Sequence, residues 1–561
     1  MAGRCPRPPG HAPAGPTADE KNVGHIDIPG RSRHANLNTL LDDHVLLKYE
    51  SVDRIFLNGY VAKLQEPDQL SWFLCQHRGE EIPRYELLGQ MTRDFVAAVE
   101  KMAKEQAVPM IQFEKGQRKE TIAEPFQAEL LSKGREGVAM IGIAQEKANC
   151  FRPPAKNKRV KGKFAAGRNP AFVKHIYIYV VDREFGPAFI KFCTYAPFGV
   201  RVCLNGHKWL IQHLRLRGHQ VEPLDNGIAA VDDPAALHAL CRRFSAAHIQ
   251  RFFDRWMHRL PNPFTANDRR AGYTYQLSIL QLEVSRTEVF DRPLHGRQFF
   301  EEVIRHQLDL GRPEKIQILF QRRPARRRGQ PPSSTRIFTQ EVDPSLQVSH
   351  RSTRVKQYWK CDRALRTETT FNDTYDFRIG RSLKNLPQLV QLGRDINQRL
   401  LLMERESQRC TPAASVFEQL VMPTGEPGRR APGLRFGDPR TVALFGALSQ
   451  FHSIFGGFYA KELRPRVEHH LARPYAMNQM AYDLSRLTKK GLLERLPASN
   501  RYRLTELGGR LTLFVTQIYN RVFGRGLAQL HPDFPDTKLN AAWNKFNAQL
   551  QALLQDARLV A

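Results

Sequence analysis

The chain has 561 residues, of which 85 are lysine or arginine and 56 are aspartate or glutamate, so its formal net charge is +29 at pH 7. Hydrophobic residues make up 41% of the chain, which is enough for several packed cores and excludes a wholly disordered protein. No apolar run approaches the roughly 20 residues of a membrane-spanning helix, so a membrane partner is not expected. The large positive charge predicts a polyanionic partner, and nucleic acid, above all DNA, is the usual one.

The cysteines and the amino terminus indicate the cell compartment. Eight cysteines are scattered along the chain and form no Cys-x-x-Cys pair, which is typical of neither a disulfide scaffold nor a zinc ribbon. The opening residues, MAGRCPRPPGHAPAGPTADE, lack the apolar core of a signal peptide. We therefore predict a reducing, cytoplasmic location, with association with the nucleoid if the source is bacterial.

The first part of the chain is predicted to hold a disordered tail followed by an α/β region. Residues 1–36 are rich in Pro, Gly, Ala and Arg and form the tail. Residues 37–150 form the α/β region. Within it, apolar residues at helical spacing predict an amphipathic helix over 85–106, and a continuous apolar run predicts a buried strand over 137–145.

A basic loop is predicted over residues 151–170. It contains seven lysines and arginines, including Lys158, Arg159 and Lys161, together with two phenylalanines and no acidic residue. Basic loops with aromatic side chains suit contacts to the backbone and bases of single-stranded nucleic acid. A solvated linker explains the same composition, and the sequence leaves both interpretations open.

An α+β core is predicted over residues 171–410, because strand groups interleave with helical groups without a regular βαβ alternation. Its predicted segments are strands within 175–210, helices within 234–260, a strand over 273–290, strands within 315–371 and a helix over 387–407. The arginines of RRPARRR, which join two of these strands, suit bidentate contacts to phosphates. They are Arg322, Arg323, Arg326, Arg327 and Arg328.

The C-terminal part is predicted to begin after a Pro/Gly linker over 411–440. The stretch DLSRLTKKGLLERLPASNRYRLTELGGRL, residues 483–511, indicates a helix, a two-stranded hairpin and a second helix capped by Thr505. The apolar stripe of the first of these helices is Met477, Met480, Leu484 and Leu487.

This order of elements resembles the winged helix-turn-helix regulators of the MarR and ArsR type over about residues 440–525. The resemblance implies a winged helix DNA-binding domain over 441–530, followed by a C-terminal helix over 531–561. Winged helices also serve as protein–protein modules, but the excess of basic residues favours nucleic acid. The side chains implied to face the DNA groove are Asn478, Gln479, Tyr482, Ser485, Arg486 and Lys489, with Arg501 and Arg503 in the wing.

A charged hairpin is predicted in RVKQYWKCDRALRTETTF, residues 354–371. If Cys361-Asp362-Arg363 makes the turn, Lys356 lies opposite Glu368 and Tyr358 lies opposite Arg366. Cross-strand ion pairing explains such a face, and so does a phosphate-binding or metal-binding surface, to which Lys360 would add a further charge. The hairpin also resembles one in plasmid and phage replication initiator proteins, although the paired histidines of rolling-circle nickases are missing from this core.

Carboxylates near strand ends provide a hypothesis for catalysis. Asp182, Glu283 and Glu368 would hold Mg²⁺ or Mn²⁺ for phosphoryl transfer if their distant segments converge. Exposed salt bridges are the competing interpretation. The histidines of the segment HKWLIQHLRLRGH, residues 207–219, have no standard zinc spacing, and we interpret them as surface or half-buried groups of a helix.

Together these features predict a DNA-binding protein of a mobile-element, replication or defence type, which contacts nucleic acid through a basic core and a C-terminal winged helix. One alternative is a metal-dependent nuclease or a transposase-like strand-transfer enzyme. A transcriptional regulator is a further alternative.

Overall fold

The structure is a computed structural model, and in it the chain forms two compact units. The described parts of the first unit lie within Val45–Asp291 and Arg351–Arg394, and those of the second lie within Val23–His44, Arg292–His350 and Asp395–Ala561. The described residues are 36–83, 85–152, 167–310, 333–340, 343–407, 414–425, 430–449, 455–497, 499–519, 545 and 548–549.

Both strands and helices are abundant, which confirms the predicted α+β class. In chain order the strands are β1 (Val45–Val61), β2 (Met110–Gln112), β3 (Gly137–Arg152), β4 (Gly167–Asp182), β5 (Gly186–Cys193), β6 (Val200–Asn205), β7 (Val221–Pro223), β8 (Ile228–Val231), β9 (Tyr275–Phe290), β10 (Ser333–Gln340), β11 (Asp343–His350), β12 (Thr353–Lys360), β13 (Ala364–Phe371), β14 (Phe458–Tyr459), β15 (Leu493–Arg495) and β16 (Arg501–Leu504).

The helices follow the same order along the chain. They are α1 (Leu37–Asp43), α2 (Pro67–Trp72), α3 (Tyr85–Glu105), α4 (Lys119–Ser132), α5 (Gly206–Leu216), α6 (Pro234–Arg243), α7 (Ala246–Arg259), α8 (Ala266–Arg270), α9 (Pro293–Leu310), α10 (Leu386–Ser407), α11 (Ala414–Val421), α12 (Pro439–Leu448), α13 (Ala460–Leu471), α14 (Met477–Lys489) and α15 (Glu506–Ile518). None of the described helices is both long enough and apolar enough to cross a membrane.

A single large sheet organises the first unit. Its strands lie in the order β12-β13-β9-β1-β6-β5-β4-β3-β2, and all neighbours are antiparallel except β2 and β3. The predicted strands over 137–145 and 273–290 are confirmed as parts of β3 and β9. β3 is longer than predicted because polar residues continue it beyond the apolar run, whereas β9 begins two residues after the predicted start.

Alternation along these strands builds a core on the face that helices cover. Ile55 of β1 and Val202 of β6 are almost completely buried at alternate positions of their strands, whereas β4 is buried on both faces from His175 to Asp182. On α3, Phe95 packs on Phe192 of β5 with ring centroids 5.3 Å apart, and the helix spans the residues that its apolar spacing predicts. The polar residues described below therefore lie on a sheet whose position is fixed by apolar packing.

The C-terminal part of the second unit contains a small, separate sheet. Its elements follow the order α12, β14, α13, α14, β15, β16 and α15, and its strands lie in the order β14-β16-β15. A cluster of buried apolar residues from all of the helices of this segment, including Leu444, Leu463, Leu484 and Leu511, packs beneath them. The predicted helix, hairpin and second helix are confirmed, and Thr505 accepts from the backbone N–H of Gly508 as the N-cap of α15.

Candidate functional site

The strongest candidate site of the first unit forms around a β-bulge in β1. Val52 pairs with Val284 of β9 and Ile55 pairs with Leu282, so two residues of β1, Asp53 and Arg54, stand opposite one residue of β9. A bulge of this kind changes the direction of the side chains on it. We call the polar residues gathered here the bulge cluster, and they are Asp53, His207, Glu283, Tyr358, Arg366 and Glu368.

A fully buried ion pair lies at the centre of the bulge cluster. Arg366 on β13 donates a hydrogen bond from its Nη2 atom to Oδ2 of Asp53 over 2.8 Å. Neither side chain is exposed to solvent. Arg366 also donates to the backbone carbonyl of Asn226 and to the hydroxyl of Ser285. Burial alone would raise the pKa of Asp53, but the charge of Arg366 holds it well below the usual range of a carboxyl group. Asp53 is therefore ionised at neutral pH.

The buried ring of His207 at the start of α5 completes the inner part of the cluster. Arg366 donates to Nε2 of His207, which must offer a lone pair because a guanidinium has no acceptor. Burial lowers the pKa of His207 well below its ordinary value, and the positive charge of Arg366 lowers it further. The ring is therefore neutral, and the sequence-based interpretation of His207 as a surface or half-buried group is wrong.

The carboxyl group of Glu368 lies beside the Arg366–Asp53 ion pair, and its pKa differs from that of Asp53. The Tyr358 hydroxyl donates to Glu368 Oε1 over 2.8 Å, and Glu368 is 15% exposed. Burial and then the negative charge of Asp53 raise the pKa of Glu368 to about 7. Two adjacent carboxyl groups with pKa values on opposite sides of the usual value have the arrangement that proton transfer near neutral pH requires.

The outer edge of the bulge cluster is open to solvent. Arg54, which is 46% exposed, contacts Glu283 at 3.3 Å, and Glu283 is itself only slightly exposed. Lys356 on β12 places its ammonium group 4.2 Å from the centre of the Tyr358 ring. A ligand at this edge would meet two cations and two carboxyl groups on the same face of the sheet.

The predicted catalytic carboxylates come together only in part. Thr370 pairs with Glu283 and Ser285 pairs with Glu368, so Glu283 and Glu368 lie on one face of the neighbouring strands β9 and β13. Asp182 ends β4, and three strands (β1, β6 and β5) separate β4 from β9. The structure therefore does not bring Asp182 to the other two.

Asp182 instead holds a turn and a helix in place. Its carboxylate is fully buried and accepts from the backbone N–H groups of Glu184 and Phe185, at 2.8 and 3.0 Å. It also accepts from the indole of Trp256 and pairs with Arg255, both on α7. These contacts account for every feature that made Asp182 look like a cleft residue in the sequence.

The register of the charged hairpin is confirmed, and it limits which of the predicted nucleic-acid-binding residues are accessible. Lys356 pairs with Glu368 and Tyr358 pairs with Arg366, as the predicted turn requires. Arg366 is buried against Asp53, and Lys360 is 9% exposed and donates to Asp225 over 2.9 Å. The predicted contact of these two residues with nucleic acid is therefore corrected, since acidic partners within the protein already neutralise them.

In the C-terminal segment, α14 turns most of the predicted groove-facing residues to solvent. Asn478, Gln479, Tyr482, Ser485 and Lys489 are all exposed. Gln479 also caps its own helix, because its side-chain oxygen accepts from the backbone N–H of Ala476.

Two residues of α14 differ from the prediction. Arg486 is only 12% exposed and lies 3.6 Å from Asp483, so it faces the interior more than the solvent. Met477, predicted to begin the buried stripe, is 47% exposed, and the stripe begins at Met480. The inward position of Arg486 follows from the buried carboxylate of Asp483, which attracts its positive charge.

The two predicted wing arginines are bonded within the protein. Arg501 donates to the carbonyl of Gly457 over 3.1 Å and lies against the ring of Tyr459. Arg503 pairs with Glu494 on the facing strand. Contact of either arginine with phosphate remains a prediction and would require a change of partner. The other predicted basic contacts, Lys158, Arg159, Lys161, Arg322, Arg323, Arg326, Arg327 and Arg328, lie outside the described residues.

Sequence reasoning missed Asp53, His207 and Asn226. The signal for Asp53 is present in VLLKYESVDRIFLNGYV, where an acidic and a basic residue stand side by side between two apolar residues. His207 and Asn226 carry no comparable signal, because their positions depend on how distant segments meet.

Comparison with protein-family models, with curated proteins and with solved structures finds no match to this chain.

The raised pKa of Glu368 predicts a pH dependence of stability that Glu368→Gln should remove. The unfolded chain loses this proton near pH 4.5 and the folded protein near pH 7. Unfolding therefore releases a proton between these values, and stability falls as pH rises, by up to about 1.4 kcal/mol per pH unit. Asp53, with its lowered pKa, acts only at lower pH. Urea unfolding from pH 4.5 to 8 should show a steeper decline for the wild type than for Glu368→Gln, and equal slopes would contradict the assignment.

Proposed function

We propose that this chain is a DNA-binding protein that grips duplex DNA through a winged helix formed by residues 439–518. The observation that carries the proposal is the order α12-β14-α13-α14-β15-β16 with the strand order β14-β16-β15. This order resembles the winged helix plan, in which the last helix before the hairpin would enter the major groove. By this plan α14 is the recognition helix and the β15–β16 hairpin is the wing.

The charge distribution of this segment supports DNA over a protein partner. Between Met477 and Leu504 the sequence has six basic residues and two acidic ones. The acid on α14, Asp483, is fully buried, and the acid on the wing, Glu494, is paired with Arg503. A face without an unpaired carboxylate suits the phosphate-lined groove of a duplex.

The outer face of α14 is also held rigidly. Asp483 accepts from Arg440 of α12 over 2.7 Å and from the Tyr475 hydroxyl over 2.5 Å. Arg440 donates in turn to the backbone carbonyl of Gln479. Two helices are thereby fixed to each other by a buried carboxylate, and a preorganised face loses less entropy on binding.

We include in the same proposal a role of the first unit in contacting nucleic acid and a biological setting. A function in a mobile element, in replication or in defence is consistent with a basic protein that joins an α+β unit to a DNA-binding segment. The nuclease or strand-transfer and regulator alternatives stay open predictions, and the proton-transfer arrangement of the bulge cluster is the feature on which the enzymatic alternative would depend.

The salt dependence of binding tests the proposal at a single residue. Lys489 is exposed at the end of α14, and a contact with one phosphate adds about 0.9 to the slope of log affinity against log salt. Lys489→Ala should therefore reduce the slope by about one unit, measured by fluorescence anisotropy with a labelled 20-base-pair duplex from roughly 50 to 200 mM salt. Lys101→Ala, an exposed lysine of α3, is the matched control and should leave the slope unchanged. An unchanged slope for Lys489→Ala would remove α14 from the interface.

A further inference from the structure

Two cysteines lie in contact in the first unit, on strands far apart in the sequence. Cys150 is near the end of β3 and Cys193 is the last residue of β5, and their sulfur atoms are 3.8 Å apart. Cys150 is fully buried, whereas Cys193 is half-buried and so has contact with solvent. We call these two residues the thiol pair. It shares no residue with the bulge cluster and is independent of the proposed DNA-binding function.

Backbone hydrogen bonds hold the two strand ends in place around the thiol pair. The N–H of Phe151, next to Cys150, donates to the carbonyl of Ala196 over 2.9 Å. The N–H of Cys193 itself donates to the carbonyl of Gly199, also over 2.9 Å. The sulfur contact is thus built into the fold of the strand ends, and it does not depend on a flexible terminus.

The surroundings of Cys193 favour its thiolate. The two sulfur atoms share a hydrogen bond, in which Cys150 is the donor when Cys193 is a thiolate, and this bond is the largest of the effects that lower the pKa of Cys193 to about 5. Burial opposes the shift, while His175, its cross-strand neighbour on β4, and the backbone N–H of Tyr195 act in the same direction as Cys150. A thiolate with solvent contact and a second thiol beside it is the arrangement found in redox-sensitive cysteines.

We propose that the thiol pair is an oxidation site, at which a peroxide oxidises Cys193 and Cys150 then closes an intrachain disulfide. The Cys193 thiolate attacks one oxygen of hydrogen peroxide, the O–O bond breaks, and the departing hydroxide takes a proton to leave as water. Cys193 is then a sulfenic acid. The Cys150 sulfur attacks the Cys193 sulfur, the S–O bond breaks, and a second water leaves as the S–S bond forms. Two thiols supply the two electrons that reduce the peroxide.

Two other cysteines of the first unit, Cys203 and Cys241, provide internal controls. Burial raises the pKa of Cys203 to about 12 and that of Cys241 to about 12 as well. Both are therefore protonated at neutral pH, and a protonated thiol reacts slowly with peroxide. Selective oxidation of the thiol pair against this background is what distinguishes the proposal from general oxidative damage.

Mass spectrometry of the whole chain tests the proposal. Protein treated at pH 7 with a small excess of hydrogen peroxide is blocked with iodoacetamide and digested without reductant. The expected result is a peptide pair joined through Cys150 and Cys193, which dithiothreitol separates, while Cys203 and Cys241 are recovered alkylated after unfolding. Recovery of both members of the thiol pair as alkylated thiols would overturn the proposal, and so would oxidation of Cys203 or Cys241 at the same rate.

Single substitutions separate the two roles within the thiol pair. In Cys150→Ser, Cys193 should accumulate as a sulfenic acid that dimedone captures. In Cys193→Ser, Cys150 should remain a thiol under the same treatment, and Cys203→Ser should form the disulfide as the wild type does. Capture of dimedone at Cys150 in place of Cys193 would overturn the assignment of the attacking thiol. The wild-type measurement decides the main question even if a variant does not fold.

Discussion

Ser485→Glu is expected to weaken the binding of duplex DNA by at least about 100-fold, which corresponds to about 2.7 kcal/mol. Ser485 is exposed in the middle of the outer face of α14, between Tyr482 and Lys489. A carboxylate there would be brought against phosphates and base acceptors, and it would draw Lys489, four residues along the same helix, away from phosphate. Fluorescence anisotropy with a labelled duplex at constant salt measures the change.

The matched control for this charge is Ser485→Ala. It removes the same hydroxyl without adding charge and should change affinity by less than about tenfold, because one neutral hydrogen bond contributes about 1 kcal/mol. Circular dichroism should be the same for both variants, since neither alters a buried group. Equal affinities of Ser485→Glu and the wild type would place the DNA elsewhere on the protein.

Arg366→Met is expected to destabilise the first unit by about 3–5 kcal/mol. The substitution keeps much of the side chain's volume but leaves the Asp53 carboxylate buried without its main counter-charge. It also removes the donor to the Asn226 carbonyl and to His207. Urea unfolding followed by tryptophan fluorescence reports on this unit, since Trp209 and Trp256 are buried in it.

A second substitution shows whether the loss comes from the charge. Asp53→Asn combined with Arg366→Met removes both members of the ion pair, and it should recover at least half of the stability lost by Arg366→Met alone. Lys63→Met, which removes an exposed hydrogen bond to the carbonyl of Ala271, should cost less than about 1 kcal/mol. A double variant as unstable as Arg366→Met would mean that packing, not charge, explains the effect.

Local patterns in the sequence were enough to predict many of the elements. The apolar spacing of α3 and α14 and the alternation along β12 and β13 each depend on near neighbours in the chain. The pairing of Lys356 with Glu368 followed from a single assumption about the turn, and it is confirmed. These features are set by periodicity and turn chemistry, which a sequence displays directly.

The bulge cluster could not be predicted in the same way. Its residues come from β1, α5, β9, β12 and β13, and its centre depends on one extra residue in the pairing of β1 with β9. The sequence of β1 does not show where its pairing with β9 takes in the extra residue. The prediction that Asp182 faces a cleft with the other two carboxylates was wrong for a related reason. A polar residue at the end of an apolar strand can face a cleft or accept hydrogen bonds from a turn, and the sequence is the same in both cases.

Arginine-rich composition has a similar limit. The positions of Arg486, Arg501 and Arg503 are visible in the sequence but their partners are not, and each of them contacts an oxygen atom within the protein. Whether a guanidinium meets a phosphate or an internal carboxylate depends on side-chain directions in the folded domain. The excess of charge predicts the class of partner, whereas the contact surface has to be read from the structure.

Photocrosslinking at α14 tests the central claim most directly. Tyr482, which is 51% exposed, would be replaced by p-benzoylphenylalanine in the whole chain, and Trp72 of the first unit, 64% exposed, would be replaced in the same way as a control. On irradiation with a labelled duplex, we expect a covalent adduct with DNA from position 482 and none from position 72. Bound duplex that forms no adduct at position 482 would contradict the assignment of α14 as the recognition helix.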